Sequence, residues 1–162
     1  MQLFRGVEAK THILLESDRL FCQHGIKSVT MDDIARHIGI SKKTIYQHFH
    51  DKDELVYTLI KGKLEAEARL IDQCICRAEN AIDEVFLAIE NVRELFFKIN
   101  RALFYDLKKY HPLSWDLFQR FRNDFLFQCV KKNMLHGIAD GYYRADLEVD
   151  FLALLARREL EG

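Results

Sequence analysis

Between Thr30 and Lys52 the apolar positions fall on two short helical faces separated by a glycine. Met31, Ile34, Ala35 and Ile38 recur at i, i+3, i+4 and i+7, which puts them on one side of a helix. Thr30 ahead of them, with Asp33 three residues on, approximates a capping box. Gly39 stands where a helix end favours a residue that accepts positive φ. Ile40 follows as an apolar plug, Ser41 caps a second helix, and Ile45 and Phe49 face inward from it. Lys43, Thr44, Gln47 and His48 share the opposite side. A short helix presenting Lys, Thr, Gln and His near its start has the chemistry to read base edges in a DNA major groove.

Helical periodicity organises the rest of the chain as well. Residues 1–6 are expected to form a short arm, followed by a helix over Val7–His24 with Ile13, Leu14, Ser17, Leu20 and Phe21 inside. Asp51 and Glu54 repeat the capping pattern and open a fourth helix, expected to run to about Cys76 with Leu55, Leu59, Ile60, Leu64 and Ile71 on its apolar side. After Asn80, the stripe Val85, Ile89, Val92, Phe96, Ile99, Leu103, Leu107 and Tyr110 predicts one long helix, ending before Pro112 because the residue before a proline avoids the α region. An aromatic-rich helix over Ser114–Leu135 comes next. Gly137 and Gly141 are expected to bracket a bend, and a last helix to run from Leu147 to the end.

Composition agrees with this pattern. One proline and seven glycines in 162 residues, with 49% hydrophobic and 30% charged, point to an all-α globular protein. The net charge of −1 does not announce a nucleic-acid binder. Residues 1–55 carry eight Lys and Arg (5, 10, 19, 27, 36, 42, 43, 52) against eight Asp and Glu (8, 16, 18, 32, 33, 51, 53, 54). DNA affinity must therefore come from where the cations sit.

Cys22, Cys74, Cys76 and Cys129 lack CxxC spacing and read as reduced thiols. With no long apolar run and no signal-peptide pattern, the chain is expected to be cytoplasmic and to have no membrane partner. The seven histidines form no defensible metal site; His48 and His50 are only two apart. No HExxH, GxSxG, Walker A or GxGxxG motif occurs. Asp32 and Asp33 complement the dipole of the helix they open. No enzymatic activity, metal or cofactor is expected.

Gly25-Ile26, Val29-Thr30-Met31, Asp33-Ile34-Ala35, Gly39-Ile40-Ser41-Lys42-Lys43-Thr44-Ile45-Tyr46, His48-Phe49 and Asp51-Lys52-Asp53-Glu54-Leu55 together carry a family resemblance. Over roughly residues 8–60 the chain resembles the N-terminal domain of the TetR family of transcriptional regulators. The resemblance implies a three-helix helix-turn-helix domain over 1–50 and a helical effector-binding and dimerisation domain over 51–162, with the fourth helix as connecting strut. Lys43 and Gln47 would then point into the groove. Tyr46, His48 and Lys52 would contact the DNA backbone, and Thr30, Ser41, Lys42 and Thr44 complete the expected DNA-binding set.

The resemblance also implies a small apolar or aromatic effector. Its expected pocket comprises Phe96, Asn100, Phe104 and Trp115 with Phe118, Phe121, Phe125 and Cys129. The expected function is that of a repressor, a homodimer on a pseudo-palindromic operator in double-stranded DNA, released by the effector. A DNA-binding structural protein of nucleoid-associated type, with no effector, is the alternative. Because family members usually dimerise through two last helices and only one is apparent, the chain is expected to be incomplete beyond Gly162.

Overall fold

The structure, a computed structural model, describes residues 2–98 and 101–159, with side chains over 8–90 and 103–155. The described residues form α-helices and connecting turns, with no strand among them. Two compact units are present, one of residues 1–63 with 98–115, the other of 64–97 with 116–162. These units cross the sequence boundary at residue 50.

The first unit begins with α1 (Gln2–His24), α2 (Met31–Ile38) and α3 (Lys42–Tyr46). It also holds the first half of α4 (Lys52–Arg77) and all of α6 (Arg101–Tyr110). Helix α1 starts at Gln2, so the expected arm over 1–6 is replaced by helix. Gly6 is the only weak helix former in that stretch, and one glycine costs only about 1 kcal/mol. Ile13, Phe21, Ile26, Ile34, Ile45, Phe49, Leu55 and Val56 are fully buried; Val56 was not foreseen, and the expected Leu14 and Leu59 are only half-buried. Ser17, on the same stripe of α1, is buried with its hydroxyl unpaired.

The second unit comprises the rest of α4, α5 (Ala81–Lys98) as far as Phe97, most of α7 (Pro112–Arg120), α8 (Phe127–Ala139) and α9 (Val149–Glu159). The expected single helix over 83–110 is described as α5 and α6; Ile99 and Asn100 between them lie outside the described residues. Its stripe is not uniformly internal either. Leu103 and Leu107 are buried, whereas Val85 and Ile89 are exposed beside Ile82 and Phe86. Periodicity tells which residues share a face, not whether a neighbour covers it.

Helices α7 and α8 join through a π-helical stretch, Phe121–Leu126, with helical backbone at both junctions. One widened turn is therefore inserted into the expected aromatic helix, which runs on to Ala139. Gly137 does not bracket a bend. It lies within α8, where the Tyr143 ring packs onto it. The Tyr143 hydroxyl donates to Asn133 Oδ1 at 3.0 Å, and Asn133 Nδ2 donates to the Ala81 carbonyl at 2.9 Å. Helix α8 packs against α9, which starts at Val149, two residues later than expected.

A Cβ on Gly137 would sit 2.2 Å from Cδ2 of Tyr143, whereas one on Gly62 in α4 would meet nothing within 4 Å. Gly137→Ala should therefore destabilise the protein by about 1–3 kcal/mol through overpacking. Gly62→Ala should stabilise it by about 0.5–1 kcal/mol through its lower chain entropy when unfolded. Urea unfolding midpoints of the two variants, with unchanged slopes, check both signs.

Candidate nucleic-acid interface

The helix-turn-helix is set by local hydrogen bonds that its sequence supplies. Thr30 Oγ1 accepts from the Asp33 N–H at 3.1 Å, and the Asp33 carboxylate accepts from the Thr30 N–H at 3.0 Å, completing the capping box of α2. At its other end Gly39 adopts φ +78°, and the Ile40 N–H returns to the Ala35 carbonyl at 3.0 Å. That left-handed residue turns the chain sharply, and only glycine adopts it without steric cost. Ser41 Oγ accepts from the Thr44 N–H at 3.1 Å and opens α3. Helix α3 ends at Tyr46, and the His48 and Phe49 N–H groups both close on the Ile45 carbonyl.

Burial of Ile45 and Phe49 fixes the opposite face of α3 outward. Lys43 and Gln47 are exposed, and their side chains make no ion pair or hydrogen bond among the described residues. Thr44 and His48 are half-buried, with Thr44 Oγ1 sharing a 2.8 Å hydrogen bond with Ser41 Oγ. Lys42 is exposed and pairs with Asp32 at 2.7 Å, its ammonium 5.9 Å from the centre of the exposed Tyr46 ring. Thr30 and Ser41 are exposed caps. Eight of the nine expected residues are thus exposed or half-buried, on α3 or at the ends of α2 and α3.

Lys52 differs. Its ammonium donates to the Ile26 carbonyl at 2.6 Å and lies 5.9 Å from the centre of the Phe21 ring. Burial lowers its pKa, opposed by the nearby carboxylates of Asp106, Asp53 and Asp33. The side chain expected to meet a phosphate thus bonds the Ile26 carbonyl of the α1–α2 loop, which also accepts a longer bond from the Val29 N–H at 3.4 Å.

Two further residues brace this unit and were not foreseen. Asp106 of α6 is buried and accepts from the Lys27 N–H at 2.8 Å. The same carboxylate lies 3.0 Å from where a Cβ on Gly25 would be, and Gly25 has φ +81°. His111, also buried, pairs its Nδ1 with Asp53 of α4 at 2.5 Å. Helix α6 is thereby tied to the loop between α1 and α2 and to the start of α4.

Of the expected effector residues, Trp115, Phe118, Phe121, Phe125 and Cys129 are half-buried. Phe121 and Phe125 stack within the π-helical stretch, ring centres 5.1 Å apart. Phe104 and Trp115 fall in the first unit and the other four in the second. Asn100 and the side chain of Phe96 lie outside the described residues. Among the described residues no group of His, Cys, Asp and Glu is arranged to hold a metal, and no helix is long and apolar enough to cross a membrane.

A short helix held by a capped turn, with an open polar face, defines a helix-turn-helix DNA-binding protein. Residues 13–58 match the family described as bacterial regulatory proteins, tetR family. The chain is 34% identical over 105 residues to the uncharacterized HTH-type transcriptional regulator YvaF of Bacillus subtilis (strain 168), across 64% of this chain and 54% of that protein. It therefore spans about half of that relative's length. It is 26% identical over 147 residues to the HTH-type transcriptional repressor KstR2 of Mycobacterium tuberculosis (strain ATCC 25618 / H37Rv), across 82% of this chain and 68% of that protein. The solved structure of the M. tuberculosis ketosteroid regulator KstR2 superposes with a TM-score of 0.69 at 22% identity, covering 91% of this chain and 77% of that one. A putative transcriptional regulator from Saccharomonospora viridis, solved in complex with choline, gives 0.72 at 21% identity, covering 91% and 79%. Residues 13–58 are thus similar to the DNA-binding domain of the tetR family of bacterial regulatory proteins, and the fold of the chain is that of solved regulators of this kind.

The caps also make the head acid-sensitive. Hydrogen bonds from Thr30 hold the Asp33 carboxyl below its ordinary pKa, and the Glu54 N–H does the same for Asp51. A carboxyl lowered in the folded state contributes stability above its unfolded value and loses it as pH falls through the folded one. Asp33→Asn and Asp51→Asn should each lower the melting temperature at neutral pH and narrow the loss on acidification. Melting curves from neutral pH down through the carboxylate range check the sign.

Proposed function

We propose that this protein is a sequence-specific repressor that docks the outer face of α3 in the major groove and is released by a small effector. The observation that carries the DNA reading is the open pair Lys43 and Gln47 on α3, beside residues committed to caps and core. Lys is a donor to guanine O6 and N7, and Gln can bond adenine N6 and N7 together. Tyr46, His48 and Lys42 flank them as backbone contacts, with Thr30, Ser41 and Thr44 at the capped helix ends. Lys52 acts from inside, neutralising the Ile26 carbonyl and holding the loop that carries α2.

In this reading DNA binding belongs to residues 1–50 and effector response to 51–162. Two copies bind as a homodimer, one α3 per half-site of a pseudo-palindromic operator, in the cytoplasm. An effector that prefers one dimer shape over another shifts the spacing of the two heads. The half-buried aromatics of the second unit, interrupted by a π-helical turn, support an effector site there, since such turns recur at functional sites. KstR2 is named a ketosteroid regulator, and the S. viridis protein was solved with choline; both fit a small-molecule effector.

Selection of DNA fragments by the purified protein tests the reading and yields the operator. On that operator, Lys43→Ala and Gln47→Ala should each cost about 1–3 kcal/mol and relax preference at particular base pairs. Lys52→Met should lower the melting temperature and leave the salt slope of DNA binding unchanged, where loss of a phosphate contact would lower that slope by about one.

Screening a small-molecule library by melting shift and operator release tests the effector. Phe121→Ala or Phe125→Ala should change the response to a hit and leave DNA binding by the free protein near wild type. Unfolding of both variants would make these rings plain core and remove the support for a site.

A further inference from the structure

Beyond Ile60, the inner stripe of α4 reads Leu64, Glu67, Ile71 and Cys74, at helical steps of three and four. Glu67 stands in the middle of it, in a position where periodicity calls for an apolar residue. It is only 8% exposed, and its Oε1 is shielded from solvent with no hydrogen-bond partner. Burial alone raises its pKa, with no neighbouring cation to oppose it. The second unit is otherwise economical with buried polarity: Asn133 is buried and satisfied, paired with Tyr143 and the Ala81 carbonyl.

A buried carboxyl without a donor is costly, and folded proteins seldom leave one. The chain could place Leu there at no cost to the stripe. We propose that Glu67 is the recognition group of the effector site, and that the effector carries a protonated amine on an apolar body. This rests on the reading that the second unit takes an effector. An ammonium supplies both the counter-charge and the N–H donors that the fold omits, and a charge-assisted bond in a desolvated site is the strong kind. A neutral alcohol would leave the charge uncompensated, and an anion would meet a like charge. The aromatic rings of the same unit are compatible with a cation, which their faces attract.

The test is calorimetric titration of the full chain and of Glu67→Gln with 4-phenylbutylammonium, 4-phenylbutanol and 4-phenylbutyrate. The ammonium should bind the unmodified protein at least tenfold more tightly than the alcohol. Glu67→Gln should abolish that preference, raise the melting temperature of the free protein at neutral pH, and retain operator binding. Equal affinity for the three probes, unaltered in Glu67→Gln, would overturn the amine assignment while leaving an effector site in place. Absence of ammonium binding at millimolar concentration would overturn the assignment too; the library screen, which is indifferent to charge, then decides the effector reading separately.

Discussion

A helix of five residues does not sustain itself in water, since nucleation costs more than so few hydrogen bonds return. Helix α3 exists because Ile45 and Phe49 are driven into the core formed with Phe21, Ile26, Ile34, Leu55 and Val56. The outward face of α3 depends on that burial. The two inward residues leave the opposite side no choice but to face outward, and the caps at Thr30 and Ser41 set where each helix begins. The outer face of α3 is thus a by-product of core packing, with Lys43 and Gln47 left open on it.

Among the described residues each unit leaves one buried polar side chain unmatched, Ser17 in the first and Glu67 in the second, but only the second leaves a carboxyl so. In the first, each brace joins a donor to an acceptor: the Lys27 N–H to Asp106, the Lys52 ammonium to the Ile26 carbonyl, and His111 to Asp53. Such pairing gives a loop with left-handed Gly25 a single conformation. In the second, Asn133 and Tyr143 are matched, but Glu67 is not, and the helix that carries Phe121 and Phe125 is widened by a π turn.

The local features of the head were legible in the sequence because each depends on residues a few positions apart. The capping box, the glycine turn, the inward pair on α3 and its outward polar face all belong to this class. Contacts between distant segments were not legible. Asp106 reaches a residue 79 positions away and His111 one 58 positions away, and neither carries a motif. The bond from Lys52 to Ile26 escaped for the same reason, since a carbonyl has no sequence signature. The exposure of Val85 and Ile89 escaped because a period does not reveal a covering neighbour. Glu67 is the exception that could have been found, as a charged residue interrupting the stripe Ile60, Leu64, Ile71.

The tie between Asp106 and the loop of α1 and α2 has a consequence for the order in which the chain is made. The head is N-terminal in sequence but not complete in its N-terminal residues, because α6 belongs to the same compact unit. On a ribosome delivering roughly 5–20 residues per second, the three helices of the motif emerge well before Asp106 and His111. During that interval the Lys27 N–H and the Asp53 carboxylate are served by water. The final rigidity of the DNA-reading head is therefore acquired late in synthesis, when the sixth helix arrives to close a loop nearly half the chain in length.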